Sequence, residues 1–379
     1  MINVILSHHR STSCLTVIFL TMLLGGCATA QQRPILDFGV GIEEAAKNHT
    51  WPQSATPTSA QSDEKPRFRY LGQLTGESNF RAPTETSLNI RRVFRVLFEF
   101  VFGESDPVVL QRPQSGVVDK TGRILITDTS RQAVYVFDPQ EGRLDIWEIA
   151  FGLTHFISPA GITSGETGEI YVADAELGLV VRLDHKGNNI STIGKGELKR
   201  PVGLAFDAIK RELYVADTRA HSIKVFNPEG HLLRTLGKHG EAAGELNSPT
   251  YIALAKGELF VTDTMNARVQ VLDALTGNTK LVIGERGLNV GNLVRPKGIS
   301  VDSEGNIYVV ESYYDHLLVY NKHGEFLLPI GGTGQNIGQF YLPAGLWIDA
   351  KDRVFVADMF NGRITLFQYL GGNSNNEKK

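Results

Sequence analysis

The chain has 379 residues, with 38 basic against 41 acidic, a formal charge of −3 and 39 glycines. That balance has the wrong sign for a nucleic-acid surface, which needs net positive charge to displace counterions. High glycine with modest charge suits turn-rich β structure rather than helix, and two cysteines, Cys14 and Cys27, exclude a disulfide framework.

Residues 1–26 read as a lipoprotein signal peptide. Arg10 supplies a thin positive start, and residues 15–26 (LTVIFLTMLLGG) form an apolar run of signal-peptide length, too short for an ordinary membrane span. Leu24-Gly25-Gly26-Cys27 is similar to the lipobox of bacterial lipoproteins, in which the cysteine is lipidated and becomes the mature N-terminus. The resemblance implies a membrane anchor at Cys27 and a place in the cell envelope. With Ala28 next, it implies the outer membrane, facing the periplasm, in a Gram-negative source.

Residues 27–66 are rich in Ala, Ser, Thr, Gln and Pro, with too little apolar surface to offset chain entropy, and read as a flexible tether. Residues 67–80 (RFRYLGQLTGESNF) look like an outer β-strand without the rest of its unit. Residues 87–103 (SLNIRRVFRVLFEFVFG) carry helical spacing with an apolar surface around most of the circumference. Two readings stay open for this inserted amphipathic helix: a cap or plug of the domain, or a helix that docks a partner or a membrane interface.

From residue 112 a unit repeats six times, opening on Pro113, Pro159, Pro201, Pro249, Pro296 and Pro343 at spacings of 46, 42, 48, 47 and 47. Each has an apolar strand that ends in an acid, Asp128, Asp174, Asp217, Asp263, Glu311 or Asp358, then a polar turn and an alternating strand. A period of that length suits a four-stranded propeller blade. The pattern P-x-G followed by Y-V-A-D-x-x-N-x-R, clearest in residues 260–272 and 355–367, resembles the NHL repeat. A looser resemblance, through Trp51-Pro52 and residues 66–72, is to exported lipoprotein propellers.

The expectation is an all-β, six-bladed propeller over 67–371, with a polar tail at 372–379. The sixth unit ends after its third strand, so residues 67–74 supply the fourth and close the ring, which leaves no open edge. Matching the glycine that ends each fourth strand gives Gly72, Gly152, Gly194, Gly237, Gly284 and Gly331. The glycine two after four of the prolines (Gly161, Gly203, Gly298 and Gly345) is expected to serve a tight turn near the axis. The six acids are expected to cap the following turn rather than do chemistry, and Arg268 and Arg363, which match the family arginine, to brace neighbouring blades.

Binding is expected where the frame stays constant and the turns vary. The turns after the acids contribute Arg131, Glu176, Arg219, His221, Asn266, Tyr313, Tyr314, His316 and Phe360. The other loops of that face contribute His155, Phe156 and Tyr251, the last in place of the inner-strand glycine. His185, His231, His239 and His323 are expected on the opposite face. The chain has no G-x-S-x-G, no H-E-x-x-H and no phosphate loop between strand and helix, so no catalytic residue and no cofactor is assigned.

The functional expectation is an envelope-anchored lipoprotein propeller that binds or scaffolds a protein, peptide or glycan partner without catalysis, with the membrane reached through its N-terminal lipid and no nucleic acid partner. Among six-bladed relatives the resemblance also implies a rival: a periplasmic lyase or lactonase-type enzyme with a divalent metal at the central axis, for which His155, His221 and His316 are the histidines to converge. RNA binding, known for cytoplasmic NHL proteins, is opposed by the export segment and the acidic balance.

Overall fold

The computed structural model describes residues 33–40, 42, 49–52, 66–81 and 107–371. The signal peptide, Cys27, the helix over 87–103 and the tail at 372–379 lie outside the described residues. The described residues from Pro34 onward belong to one compact unit. Among the described residues no helix is long and apolar enough to cross a membrane.

Each of the first five repeats divides into four short antiparallel strands. Five sheets close within their own stretch of chain: blade 1 over 113–147, blade 2 over 159–193, blade 3 over 201–236, blade 4 over 249–283 and blade 5 over 296–331. Blade 6 takes Leu346–Ile348, Arg353–Asp358 and Arg363–Tyr369 from the C-terminal end of the ring, and its fourth strand is Phe68–Leu74 from the N-terminal side. The expected closure is therefore present.

The core is not one body but six wedges. Each of six clusters of buried side chains draws on two neighbouring blades; Ile223 and Val225 of blade 3, for example, pack with Leu259 and Val261 of blade 4. Both faces of every sheet are covered, so the second strands read as unbroken apolar runs such as Leu213–Ala216, not as alternation. The closing strand serves both interfaces of blade 6: Phe68 and Tyr70 face blade 5, and Leu74 faces blade 1. A bulge between these residues lets one strand serve both sides.

The register of that strand differs from expectation. Ile364 pairs with Leu74, as Ile223 pairs with Leu236 in blade 3, so Thr75 rather than Gly72 holds the place of Gly237. Gly72 instead makes room for a neighbouring backbone. A Cβ built on it would lie 2.2 Å from the Phe38 carbonyl oxygen, at φ +136°. Gly152 is also displaced, into an extra hairpin of Ile149–Phe151 with Thr154–His155 that follows the last strand of blade 1.

The stretch 27–66 needs a correction where it is described. Ile35–Leu36 pairs with Phe80–Arg81, and Thr50–Trp51 adds a fifth strand outside Phe68–Leu74. Trp51 meets Phe367 edge-on at 5.3 Å, and Phe38 packs among the partly buried residues of the interface between blades 6 and 1. These few apolar residues dock a segment whose average composition reads as a tether.

Candidate functional site

One face of the ring carries the loops before each inner strand and the turns after each acid. The six acids organise it. All are at most 1% exposed, and each accepts at least one N–H group from the loop ahead of its blade. Asp128 accepts the N–H groups of Gln111 and Arg112 in the loop ahead of its blade, and those of Ser130 and Arg131 in the turn behind it. Asp174 and Glu311 repeat the arrangement through Ile157, Ser158, Glu176 and Leu177, and through Val294, Arg295 and Tyr313. Buried carboxylates with several N–H donors are tied into structure. The expected capping of the following turn holds for Asp128, Asp174 and Glu311. Asp217, Asp263 and Asp358 make no such cap and staple the incoming loop through the N–H groups of Lys199, Arg200, Asn247 and Tyr341.

Arg268 and Arg363 work with two of these acids. Arg268 donates to Asp263 Oδ2 at 2.8 Å and to the carbonyls of Ala242 and Glu245, and Arg363 donates to Asp358 Oδ2 at 2.8 Å and to the carbonyls of Gln335 and Gln339. Both guanidiniums thus brace the loop arriving from the preceding blade. Asn266 belongs to the same brace, with its amide on Asp263 and on the Gly240 carbonyl; it supports the face rather than presenting a free contact. In blade 3, Lys224 does the equivalent work, reaching the Glu197 carbonyl and lying 3.7 Å from Asp217.

At the centre, the P-x-G glycines permit close approach of strands, not a turn. A Cβ on Gly161 would lie 2.0 Å from the Val202 carbonyl of the next blade, and one on Gly345 2.2 Å from the Gln114 carbonyl. Two blades lack the glycine, with Ser115 and Tyr251 in its place. In both, a threonine stands before the acid and binds the buried backbone there: Thr127 Oγ1 accepts from Ser115 N at 3.2 Å, and Thr262 Oγ1 from Tyr251 N at 2.9 Å.

Tyr251 then crosses the axis. Its hydroxyl donates to the Gln114 carbonyl at 3.1 Å, from blade 4 to blade 1, and only 7% of the residue is exposed. Burial pushes its phenol well above the ordinary tyrosine value. The side chain expected at the channel mouth is a plug across it. In the position before the glycine the six inner strands carry Gln114, Ala160, Val202, Thr250, Lys297 and Ala344. Lys297 is the one charge in that ring, and no motif in the sequence points to it. Burial, then the positive charge of Arg295, holds its ammonium below the usual lysine value.

The remaining candidates separate into three groups. Arg131, Arg219, His155 and Glu176 are exposed, and Glu176 pairs with Arg200 at 2.6 Å. Phe156 is buried in the interface between blades 1 and 2 and is removed from the candidates, because the extra hairpin folds it inward. His221 sits in left-handed backbone, accepts the Ser248 N–H at Nδ1 and meets the His239 ring at 4.4 Å. His239 therefore lies on this face and not the opposite one, since its loop joins blades 3 and 4. Burial, then the charges of His239 and Lys199, lowers the His221 pKa. Among the described residues no three His, Cys, Asp or Glu side chains gather to hold a metal ion; His155, His221 and His316 stay on separate blades.

Blade 5 holds a pocket. Tyr314, His316, Glu311 and Leu318 form one side, and the loop at 288–292 forms the other, around a space of about 80 Å³. Tyr313 stands exposed at its edge, its ring perpendicular to Tyr314 at 4.9 Å. Along the same face Phe360 is exposed, covered partly by Tyr341 at 5.5 Å and by the Arg112 guanidinium at 5.0 Å. Met265, Leu288 and Val290 are exposed too, so blades 4 to 6 present an arc of large apolar side chains.

Six four-stranded blades around a plugged axis, built on P-x-G and strand-ending acids, define a six-bladed β-propeller. Its repeats are of the NHL type. The chain is 32% identical over 136 residues to protein brain tumor of Drosophila melanogaster, which covers 35% of this chain and 12% of that protein. It is 26% identical over 155 residues to NHL repeat-containing protein 2 of Bos taurus, covering 32% of this chain and 21% of that one. The matches thus span less than a quarter of either relative's length. No family model matches the chain. Among solved structures, virginiamycin B lyase of Staphylococcus aureus superposes with TM-score 0.52 at 13% identity, covering 68% of this chain and 94% of that one; the likeness is one of fold.

Proposed function

We propose that this propeller is a binding or scaffolding module without catalysis, held in the cell envelope by a lipid on Cys27, and that it engages a protein, peptide or glycan partner on the face bearing the varied loops. The arc of exposed side chains across blades 4 to 6, with Tyr313 and Phe360 at its centre, carries the reading. Exposed apolar and aromatic residues grouped on one face, with polar residues around them, are the usual composition of a recognition surface. Arg131, Arg219, His155 and His221 lie on the same face and extend it around the ring. The envelope location rests on the lipobox-like Leu24–Cys27.

The rival, a lyase or lactonase-type enzyme with an axial metal, needs the axis for ligands and substrate. Tyr251 occupies it. The test is capture of a partner from the native envelope with the lipidated chain, compared with Tyr313→Ala/Phe360→Ala and, for the anchor, with Cys27→Ser. Loss of partner with the aromatic pair and release from the membrane with the cysteine variant are expected. Undiminished capture by the aromatic double variant would remove this face from the reading, and a Cys27→Ser chain that stays membrane-bound would remove the anchor.

A further inference from the structure

Three loops between blades have the same length and shape. Eleven residues separate Gly237 from Pro249, Gly284 from Pro296 and Gly331 from Pro343. Each carries the same parallel bridge, His239 with Leu246, Arg286 with Leu293 and Thr333 with Phe340. The first and third of these loops receive a guanidinium from the blade that follows, through the carbonyls of Ala242 and Glu245 for Arg268 and those of Gln335 and Gln339 for Arg363. The middle loop receives none. Blade 5 has His316 where the arginine stands and Tyr314 where the asparagine stands.

What remains there is the pocket. The counterparts of Ala242 and Glu245 are Asn289 and Asn292, and the counterpart of Gln335 is Leu288; all three line it. The counterpart of Asp263 and Asp358 is Glu311, which also lines it and has no cationic side chain in an ion pair with it among the described residues. The loop backbone and a buried acid that elsewhere hold an internal arginine are thus present without the arginine. Asp263 and Asp358 leave Oδ2 to the side-chain donors, whereas both Glu311 oxygens already accept the N–H groups of Val294, Arg295 and Tyr313. Leu288, Val290 and Tyr313 stand exposed around the opening.

We propose that the blade 5 pocket takes the guanidinium of an arginine supplied by a partner polypeptide, with apolar residues beside that arginine resting on Leu288, Val290 and Tyr313. Planar guanidinium donors match adjacent loop carbonyls in a fixed fork that an ammonium does not reproduce, and the buried charge of Glu311 favours a cation beside it. An arginine anchored in a pocket with an apolar rim is a common form of interface hot spot. The proposal rests on the binding reading above and names the chemistry of the partner at one point of that face.

The test uses a probe of known structure on the full-length chain, so that its failure is separate from failure to capture a partner. N-acetyl-arginine methylamide and the neutral isostere N-acetyl-citrulline methylamide are titrated and followed by calorimetry and ligand-observed NMR. The arginine probe is expected to bind about tenfold more tightly than the citrulline probe. Tyr314→Asn combined with His316→Arg rebuilds the internal brace; it is expected to raise the melting temperature and abolish binding of the probe. Equal binding of the two probes to the unaltered chain, no binding of the arginine probe, or unchanged binding by the folded double variant would each overturn the proposal. The citrulline comparison needs no variant and decides the matter if the double variant does not fold.

Discussion

Tyr251 and Gln114 meet across the axis of the ring, the tyrosine hydroxyl 3.1 Å from the glutamine carbonyl and 137 residues away in sequence. Blade 4 thereby reaches past its neighbours to blade 1. Tyr251→Phe keeps the plug and loses the hydrogen bond, so unfolding in urea should show a loss of about 0.5–1.5 kcal/mol. Tyr251→Ala also removes the buried ring and should cost about 3–5 kcal/mol. Equal stability of both variants and the parent would mean that the contact contributes nothing to holding the ring.

Ring closure depends on Phe68–Leu74. Phe68 is 1% exposed and Leu74 0%, in the two interfaces that flank blade 6, and each such side chain contributes about 1.5–3 kcal/mol through burial. Deleting residues 68–74 leaves blade 6 with three strands and a bare edge. Aggregation and loss of a cooperative melt are expected by light scattering and calorimetry; an unchanged melting temperature would refute the closure.

The two guanidinium braces should differ from the free arginines on the same face. Arg268→Met leaves Asp263 buried without its cation, a change expected to cost about 3–5 kcal/mol. Arg219→Ala, in an exposed turn, should stay within about 0.5 kcal/mol of the parent. Chemical denaturation of the two variants side by side checks the contrast.

His221 predicts a pH dependence. Its folded pKa is lowered from 6.5, so the unfolded chain takes up the proton first and stability falls as the pH drops below 6.5. The loss is complete once the pH is under the folded value. His221→Asn, a residue that accepts left-handed backbone, should flatten that part of the stability profile between pH 7 and pH 5. A slope unchanged by the substitution would assign it to other groups.

The frame of this fold is written locally, and so can be read. Strand-ending acids, inner-strand prolines and the unmatched strand at 67–74 each carry their meaning within a few residues. Registers are less legible. The Leu-Gly context matches Gly72 to Gly237, whereas pairing places Leu74 opposite Ile364 and leaves Gly72 to make room for Phe38. The P-x-G glycines carry the same ambiguity, since close approach and tight turning both select glycine. A clue to the right answer lies in Thr127 and Thr262, which appear where Ser115 and Tyr251 replace the glycine.

The candidate face is legible as variation and illegible as contact. The turn at 312–316 stands out because two aromatics, an acid and a histidine replace the family tail, and it proves to border the pocket. That the pocket lies where blades 4 and 6 hold their arginine braces is seen only from the carbonyls of the incoming loop, which no turn sequence reports. Lys297 is visible in principle: written in a column, the residues after the six prolines show one charge among neutral side chains. Phe156 and Asn266 differ from expectation for the opposite reason, because exposed-looking loop positions fold inward when a hairpin or a brace claims them.

The central claim is that the face carrying Tyr313 and Phe360 is where a partner binds. A photoreactive phenylalanine analogue placed at 313 or 360, irradiated in the cells that make the protein, should yield the same crosslinked adduct from both positions. The analogue at 209 or 275, where Ile209 and Leu275 are also exposed, on the opposite face, should yield none. Adducts confined to 209 and 275, or identical from all four positions, would contradict the account.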